Sequence, residues 1–319
     1  MMQPKMEKRN ETLASNFVLV GLVTVWEQQI VLFVVLLQIY LITLLGNSLI
    51  IAMIRLSSQL HTPMYFFLSI LSIVDICSIS VIVPNMLNNL LSDNKSISFS
   101  GCITQLYFCI SFVGTEYFLL AAMAYDRYVA ICSPLRYTLV MNPRLCLYLA
   151  ASSFVGGFLM SLLHTLLISR LSFCGSKIIN HFFCDMTALF KLSCTDTYIN
   201  ELMIFIEGPF SIVMPFVIIM LSYCRIITSI LKMSSVEKRY KAFSTCSSHF
   251  TVVTLLYGSV IALYMRPSSM YSPGKEKVVA LIYIVVIPML NPFIYSLRNN
   301  DMKKALRKQF GRKCYHCRI

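Results

Sequence analysis

Seven stretches of this chain are long, continuous and apolar: residues 30–54, 63–90, 102–131, 145–168, 202–231, 243–265 and 278–297. Each reaches the roughly 20 helical residues that cross about 30 Å of hydrocarbon. In lipid every backbone N–H and C=O must be satisfied internally, which leaves only helices or closed barrels. Barrel strands alternate in polarity over about ten residues, and these runs do not. With 57% hydrophobic and only 13% charged residues, the chain is too apolar for an ordinary soluble domain. The expected fold is therefore an all-α bundle of seven membrane helices over 30–297, preceded by a tail of residues 1–29 and followed by residues 298–319.

Basic residues orient the bundle. The loops after spans one, three and five, together with the tail and the inner span ends at Asp126-Arg127 and Arg225, hold 17 of the 27 Lys and Arg but only three acids, Asp126, Glu237 and Asp301. That side is predicted to be cytoplasmic. The sequons Asn10-Glu11-Thr12 and Asn94-Lys95-Ser96 then both fall outside, Asn94 being the weaker because it sits close to the membrane. The first apolar run is too long for a cleavable signal and has no small-residue cleavage pattern, so it is expected to act as the insertion signal. The net charge of +13 suits anionic inner-leaflet lipid and a cytosolic partner; nucleic-acid binding has no basic soluble domain to carry it.

At the inner end of span three stands the run Met123 to Cys132, with Asp126 and Arg127 adjacent. An arginine is costly in hydrocarbon unless it pairs, snorkels or faces a wet cavity, and Asp126 can hold it at the boundary as a latch. Cys102, Cys174, Cys184 and Cys194 lie on the oxidising side, where three pairings are open to them. Cys314 and Cys317 near the basic tail are candidates for palmitoylation. No metal-protease His motif, phosphate-binding glycine loop or nucleophile with its base occurs, so an enzyme is not indicated.

The Asp126-Arg127-Tyr128 triplet, Asn291-Pro292-Phe293-Ile294-Tyr295 and Asp75 resemble the rhodopsin-like G-protein-coupled receptors. Longer motifs narrow this: Leu60 to Ser69, Met123 to Cys132, Ser222-Tyr223, Lys241 to His249, and Pro288 through Asn299 together resemble the olfactory receptor family. Tyr264-Met265-Arg266-Pro267 resembles its tetrapod-type class. Leu256 and Asn85 depart from the family's usual Phe and Lys. The resemblance implies disulfides Cys102–Cys184 and Cys174–Cys194, which would leave His181 alone beside a bonded cysteine and therefore no metal site. It also implies a short amphipathic cytoplasmic helix after span seven.

Further implications concern mechanism. Asp75 and Glu116 would face each other near Asn47 and Asn291, where they could hold a sodium ion, share a proton or form a polar network without an ion. Pro215, Pro288 and Pro292 interrupt backbone bonding and permit helix movement. Tyr223 and Tyr295 would approach Arg127 when span six swings outward, exposing a groove for a stimulatory olfactory G protein that raises cyclic AMP. Leu135 would offer an apolar knob, and Lys241 would line the inner end of span six.

A pocket for small volatile odorants would occupy the outer half of the bundle. Counting along the helices selects Cys109, Ile110, Val113 and Gly114 from span three, Glu207 and Ser211 from span five, Tyr257, Val260, Ile261 and Tyr264 from span six, and Ile284 from span seven. Burying about 200 Å² of apolar ligand at about 25 cal/mol/Å² contributes roughly 5 kcal/mol before association costs, so affinity should be micromolar or weaker. Glu207 would either set specificity, as an acceptor for an amine or hydroxyl when ionised or a donor to a carbonyl when neutral, or face lipid or be satisfied by the loop. The alternatives are a receptor for another metabolite or a peptide and, remotely, an ion transporter, whose paired repeats are missing here. Expected localisation is the plasma membrane, with a trafficking chaperone as a further partner.

Overall fold

The structure, a computed structural model, describes residues 16–23, 25–174, 176–264, 273–298 and 302–309; within these, the side chains of 238, 241, 245, 262–264, 273, 275, 297 and 298 fall outside the description. In chain order the elements are β1 (Phe17–Leu19), α1 (Trp26–Leu56), α2 (Pro63–Leu91), β2 (Ser96–Ile97), α3 (Phe99–Cys132), α4 (Tyr137–Val140), α5 (Pro143–Ser169), β3 (Ile178–Ile179), α6 (Met186–Phe190), α7 (Tyr198–Gly208), α8 (Met214–Leu231), α9 (Val236–Tyr264), α10 (Pro273–Leu281) and α11 (Ile287–Arg298). A last helix, α12, covers 302–309. Short π-helical turns, Pro209–Val213 and Ile282–Val286, join α7 to α8 and α10 to α11, so seven membrane spans result.

Local chemistry fixes where the helices begin. Ser98 accepts from the Gly101 N–H at 3.1 Å and caps α3, and Asn142 accepts from Leu145 N–H at 2.9 Å ahead of Pro143 to cap α5. Proline also places the two π turns. Pro215 and Pro288 lack the N–H that would close the turn before them, and each stands two residues beyond a π segment that widens the helix there.

Six of the spans are long and apolar enough to cross a membrane: Trp26–Leu56, Pro63–Leu91, Phe99–Cys132, Pro143–Ser169, Tyr198–Leu231 and Glu276–Ser296. The remaining one, α9, is 29 residues long and starts at Val236, because a basic, serine-rich turn extends it beyond its apolar half. It packs against α3, α8, α10 and α11. The long α3 lies at the centre, touching α2, α5, α8 and α9, while α1 packs on α2 and α11. Gly46 permits that last contact: a Cβ there would meet Pro292 at 3.1 Å.

The bundle is apolar outside and polar at chosen points within. Val31, Leu45, Leu159, Phe205 and Leu221 are exposed, a surface that only hydrocarbon accommodates over such an area. Thr43, Asn47, Asp75, Ser111, Thr115, Asp126 and Asn291 are buried. At one end β1 joins β2 antiparallel and β3 parallel in a three-stranded sheet; the residues just before α1 are thus a paired strand where the sequence suggested a tail. At the other end α12 turns Met302 and Ala305 into the core and leaves Lys303, Lys304, Arg307 and Lys308 exposed, an amphipathic helix by periodicity.

Candidate functional site

Span three carries the Asp126–Arg127 pair at the end opposite the sheet. Arg127 donates to the Asp126 carboxylate at 2.7 Å, and Asp126 is fully buried. Its other oxygen accepts from the Tyr137 hydroxyl of α4 at 2.8 Å. Burial first, and then the Asp126 charge, push the Tyr137 hydroxyl above the ordinary tyrosine range, so it remains a donor. A buried ion pair whose leftover lone pairs are met by a third group is the arrangement that offsets desolvation.

Beside it, His249 bridges three helices. Its Nε2 lies 3.0 Å from the Leu120 carbonyl and must carry the hydrogen, leaving Nδ1 to accept from the Tyr223 hydroxyl at 2.8 Å. Tyr223 also lies 3.2 Å from the Cys246 carbonyl. Tyr295 is buried with its hydroxyl unpartnered among the described residues. Tyr128 is half-buried against Tyr125. Leu135, in the turn before α4, is 96% exposed.

The middle of the bundle holds a buried polar cluster. Asn291 donates to both Asp75 oxygens, at 2.9 and 3.2 Å, and Asn47 donates to the carbonyls of Thr43 and Pro288, using an acceptor beside the π turn. Glu116 lies within electrostatic reach of Asp75. Among the described residues, Glu116 Oε1, Asn47 Oδ1 and Asn291 Oδ1 have no partner. All three are acceptors, which is the donor-poor oxygen set that a hard cation or a proton completes. No group of three or more His, Cys, Asp or Glu able to hold a metal occurs among the described residues.

Toward the sheet end, the sequence-selected wall is only partly brought together. Tyr257 is buried between Tyr117 and Phe216, with ring centroids at 5.5 and 4.9 Å, and its hydroxyl has no partner among the described residues. Val260 and Val113 join the same apolar cluster; Cys109 and Ile284 join a second with Phe182 and Phe183. Ser211 is buried in the first π turn. Glu207 is held by His164 of α5 at 3.1 Å.

Three members of the wall lie elsewhere. A Cβ on Gly114 would meet the Gly157 Cα at 3.2 Å, so this residue belongs to the α3–α5 crossing. Residues i and i+5 stand about 140° apart on a helix, too far for Cys109 and Gly114 to share one face. Ile110 packs beneath the loop after α5, with Leu106 and Leu189. Ile261 is exposed on the outward stripe of α9 with Phe250, Thr254 and Gly258. The side chains of Tyr264 and Lys241 lie outside the described residues, as do Asn10, Cys314 and Cys317.

The loop after α5 forms a lid. Cys102 is bonded to Cys184 and Cys174 to Cys194, with Cα separations of 5.5 and 5.9 Å. Gln105 accepts from Cys184 N–H at 3.1 Å and donates to the Val81 carbonyl at 3.2 Å, tying lid, α3 and α2 together. His181 is buried against Phe182 and Phe183, each ring 4.6 Å away, and burial pulls its pKa down to about 4, with Asp185 opposing and Lys277 reinforcing. Asn94 is exposed on the turn before β2.

Sequence reasoning missed Tyr137, His164, Gln105 and the bridging role of His249. His249 was visible as the end of the Lys241–His249 motif. The others lie on separate elements from their partners and carry no local signal.

With this geometry in view, comparison with known proteins is specific. A sequence model of the family described as Olfactory receptor matches residues 36–313. The chain is similar to Olfactory receptor 1468 of Rattus norvegicus, 54% identical over 97% of this chain and 98% of that one. It is also similar to Olfactory receptor 1E5 of Pan troglodytes, at 54% over 96% and 97%, and to Olfactory receptor 1E2 of Gorilla gorilla gorilla, at 55% over 94% and 96%.

Proposed function

Because this chain belongs to the olfactory receptor family, we propose that it binds small volatile odorants and activates a stimulatory olfactory G protein, raising cyclic AMP. The observation that carries the signalling half is the Asp126–Arg127 pair closed by Tyr137, a bistable element at the end of the bundle opposite the sheet. In this reading the sheet end is extracellular and the α12 end cytoplasmic, in agreement with the basic residues on α12. Asn10 and Asn94 are then on the side where glycans are added.

Activation breaks two locks. Arg127 leaves Asp126 and turns to Tyr223 and Tyr295 as the inner end of α9 swings away from α3; Tyr223 must first release His249. The opened groove receives the G protein, with Leu135 as the apolar knob and Lys241 at its rim. A ligand favours this state only by its differential affinity for the two arrangements.

The odorant wall comprises Cys109, Val113, Ser211, Tyr257, Val260 and Ile284, with Glu207 as the polar group. Glu207 reaches the ligand by way of a His164 contact that the guest can exchange for its own. Asp75, Glu116, Asn47 and Asn291 offer a sodium ion the unmet acceptor oxygens described above. Such an ion would supply positive charge that favours the resting arrangement.

The test is a cyclic AMP reporter screen of diverse volatiles on cells expressing the chain with an olfactory G protein and a trafficking helper, with surface display tracked by an amino-terminal tag. A saturable response that disappears in Arg127→Ala at unchanged surface level supports the proposal. Undiminished signalling by that variant would overturn it; a response confined to peptides or non-volatile metabolites would change the ligand class alone.

A further inference from the structure

The first span, α1, packs on α2 and α11, and its buried residues, Leu36, Thr43, Asn47 and Ile50 among them, mark that side. Its other side carries a second pattern. Val31, Val34, Gln38, Leu41, Leu45 and Ser48 are all exposed. They recur at alternating steps of three and four, the 3.5-residue repeat by which two helices meet along one seam.

Gln38 is out of place on that seam. It lies about 12 Å along the helix from the start of the apolar stretch at 30, too deep for its short side chain to reach the headgroups. It forms no hydrogen bond to any described residue. An amide left so in hydrocarbon loses its hydration without compensation. Other outward-facing polar side chains are met by their own helix: the Thr254 hydroxyl donates to the Phe250 carbonyl at 2.8 Å, and the Ser152 hydroxyl to the Leu149 carbonyl at 3.0 Å. Gln38 has no such bond, so its partner has to come from outside the chain.

We propose that this face of α1 docks a second copy of the chain, paired in parallel about a two-fold axis along the membrane normal. Both copies insert in the same sense, so Gln38 of one stands at the depth of Gln38 in the other. A primary amide carries both donors and an acceptor, and across the two-fold axis each Gln38 N–H donates to the other's oxygen. The side chain is thus complementary to itself, which is what singles out a second copy as the occupant. A polar residue at one position of an apolar seam also fixes the register of the pair. Val31 and Val34 pack on one side of the amides and Leu41 and Leu45 on the other, while the small Ser48 lets the backbones approach beyond them. The inference goes beyond odorant binding and signalling and rests on neither, only on the membrane bundle.

The experiment uses the purified full chain in liposomes with no other protein present, labelled with a donor or an acceptor dye on an amino-terminal tag. Energy transfer is followed as the protein is diluted in lipid. Saturable transfer that falls on dilution is expected, and Gln38→Leu should weaken the association by about fivefold or more. Gln38→Asn, which keeps the amide, should weaken it less. Because Gln38 faces outward, Gln38→Leu leaves the fold intact, as thermal unfolding of the variant checks. Cross-linking then identifies the face: with copper-phenanthroline as oxidant, Leu41→Cys should give a covalent dimer above the background of the unsubstituted chain. Leu159→Cys, also exposed but on α5, should not. Transfer unaltered by Gln38→Leu, equal cross-linking at the two positions, or a monomer at every dilution would each overturn the assignment, the last pointing to a different partner or to lipid alone. Since no step reads cyclic AMP, failure here leaves the signalling proposal standing, and the reverse holds too.

Discussion

Asp126 accepts from two donors on different elements, Arg127 beside it and Tyr137 on α4, and the two differ in what their loss should do. In the proposed mechanism Arg127 is the group that turns to Tyr223 and Tyr295, so Arg127→Ala is expected to silence the receptor. In the same mechanism, removing only the Tyr137 hydroxyl takes a donor from the Asp126–Arg127 pair of the resting arrangement and none from the active one. A hydrogen bond contributes about 0.5–1.5 kcal/mol net, so Tyr137→Phe is expected to raise ligand-free cyclic AMP about two- to tenfold at equal surface level, as read in the same reporter cells. An unchanged or lower basal signal would show that Tyr137 does not hold the latch. Asp126 and Arg127 were legible in the sequence because a charged pair in an apolar run demands explanation. Tyr137 was not, since nothing in a short polar loop reveals which residue folds back eleven positions.

At the scale of elements, two glycines make opposite predictions. Gly157 of α5 lies against α3 so closely that a Cβ would meet the Ser111 carbonyl and the Thr115 hydroxyl at 2.6 Å. Both are held in place, the Thr115 hydroxyl by its own bond to Ser111 O, so Gly157→Ala must push the helices apart. Overpacking of this kind costs about 1–3 kcal/mol, and thermal unfolding of the detergent-solubilised chain should fall accordingly. Gly258 in α9 has nothing within 4 Å of a built Cβ; Gly258→Ala should therefore stabilise the helix by about 0.5–1 kcal/mol. Helix positions were readable from apolar length alone. The crossing of α3 and α5 was not, because identical small residues serve a seam at Gly157 and an open face at Gly258. For the same reason Gly114 and Ile261, counted into the wall by spacing, fall on other faces once neighbouring helices set the rotation.

Over the whole molecule the lid is the part least dictated by local sequence: it draws residues from β1, β2, β3, α2 and α3 into one cap, held by Cys102–Cys184 and the Gln105 bridge. Cysteine count left three pairings open, and no periodicity marked Phe17–Leu19 as a strand, because three residues are too few to show one. The cap encloses an acid-sensitive group. Buried His181 titrates at about 4, against about 6.5 for an exposed histidine, so it is neutral in the closed lid. Between pH 6.5 and 4 the opened lid binds a proton that the closed lid does not, and linkage makes closure less favourable as pH falls through that window. The full difference corresponds to about 3 kcal/mol at 1.36 kcal/mol per pKa unit. Hydrogen exchange over residues 178–184, corrected for its intrinsic pH dependence, should therefore speed up progressively from pH 6.5 to 4. His181→Phe, which keeps an aromatic ring beside Phe182 and Phe183, should flatten that slope while leaving exchange at pH 7.5 nearly unchanged. A slope that survives the substitution would place the acid response elsewhere, in Asp185 or another group of the lid.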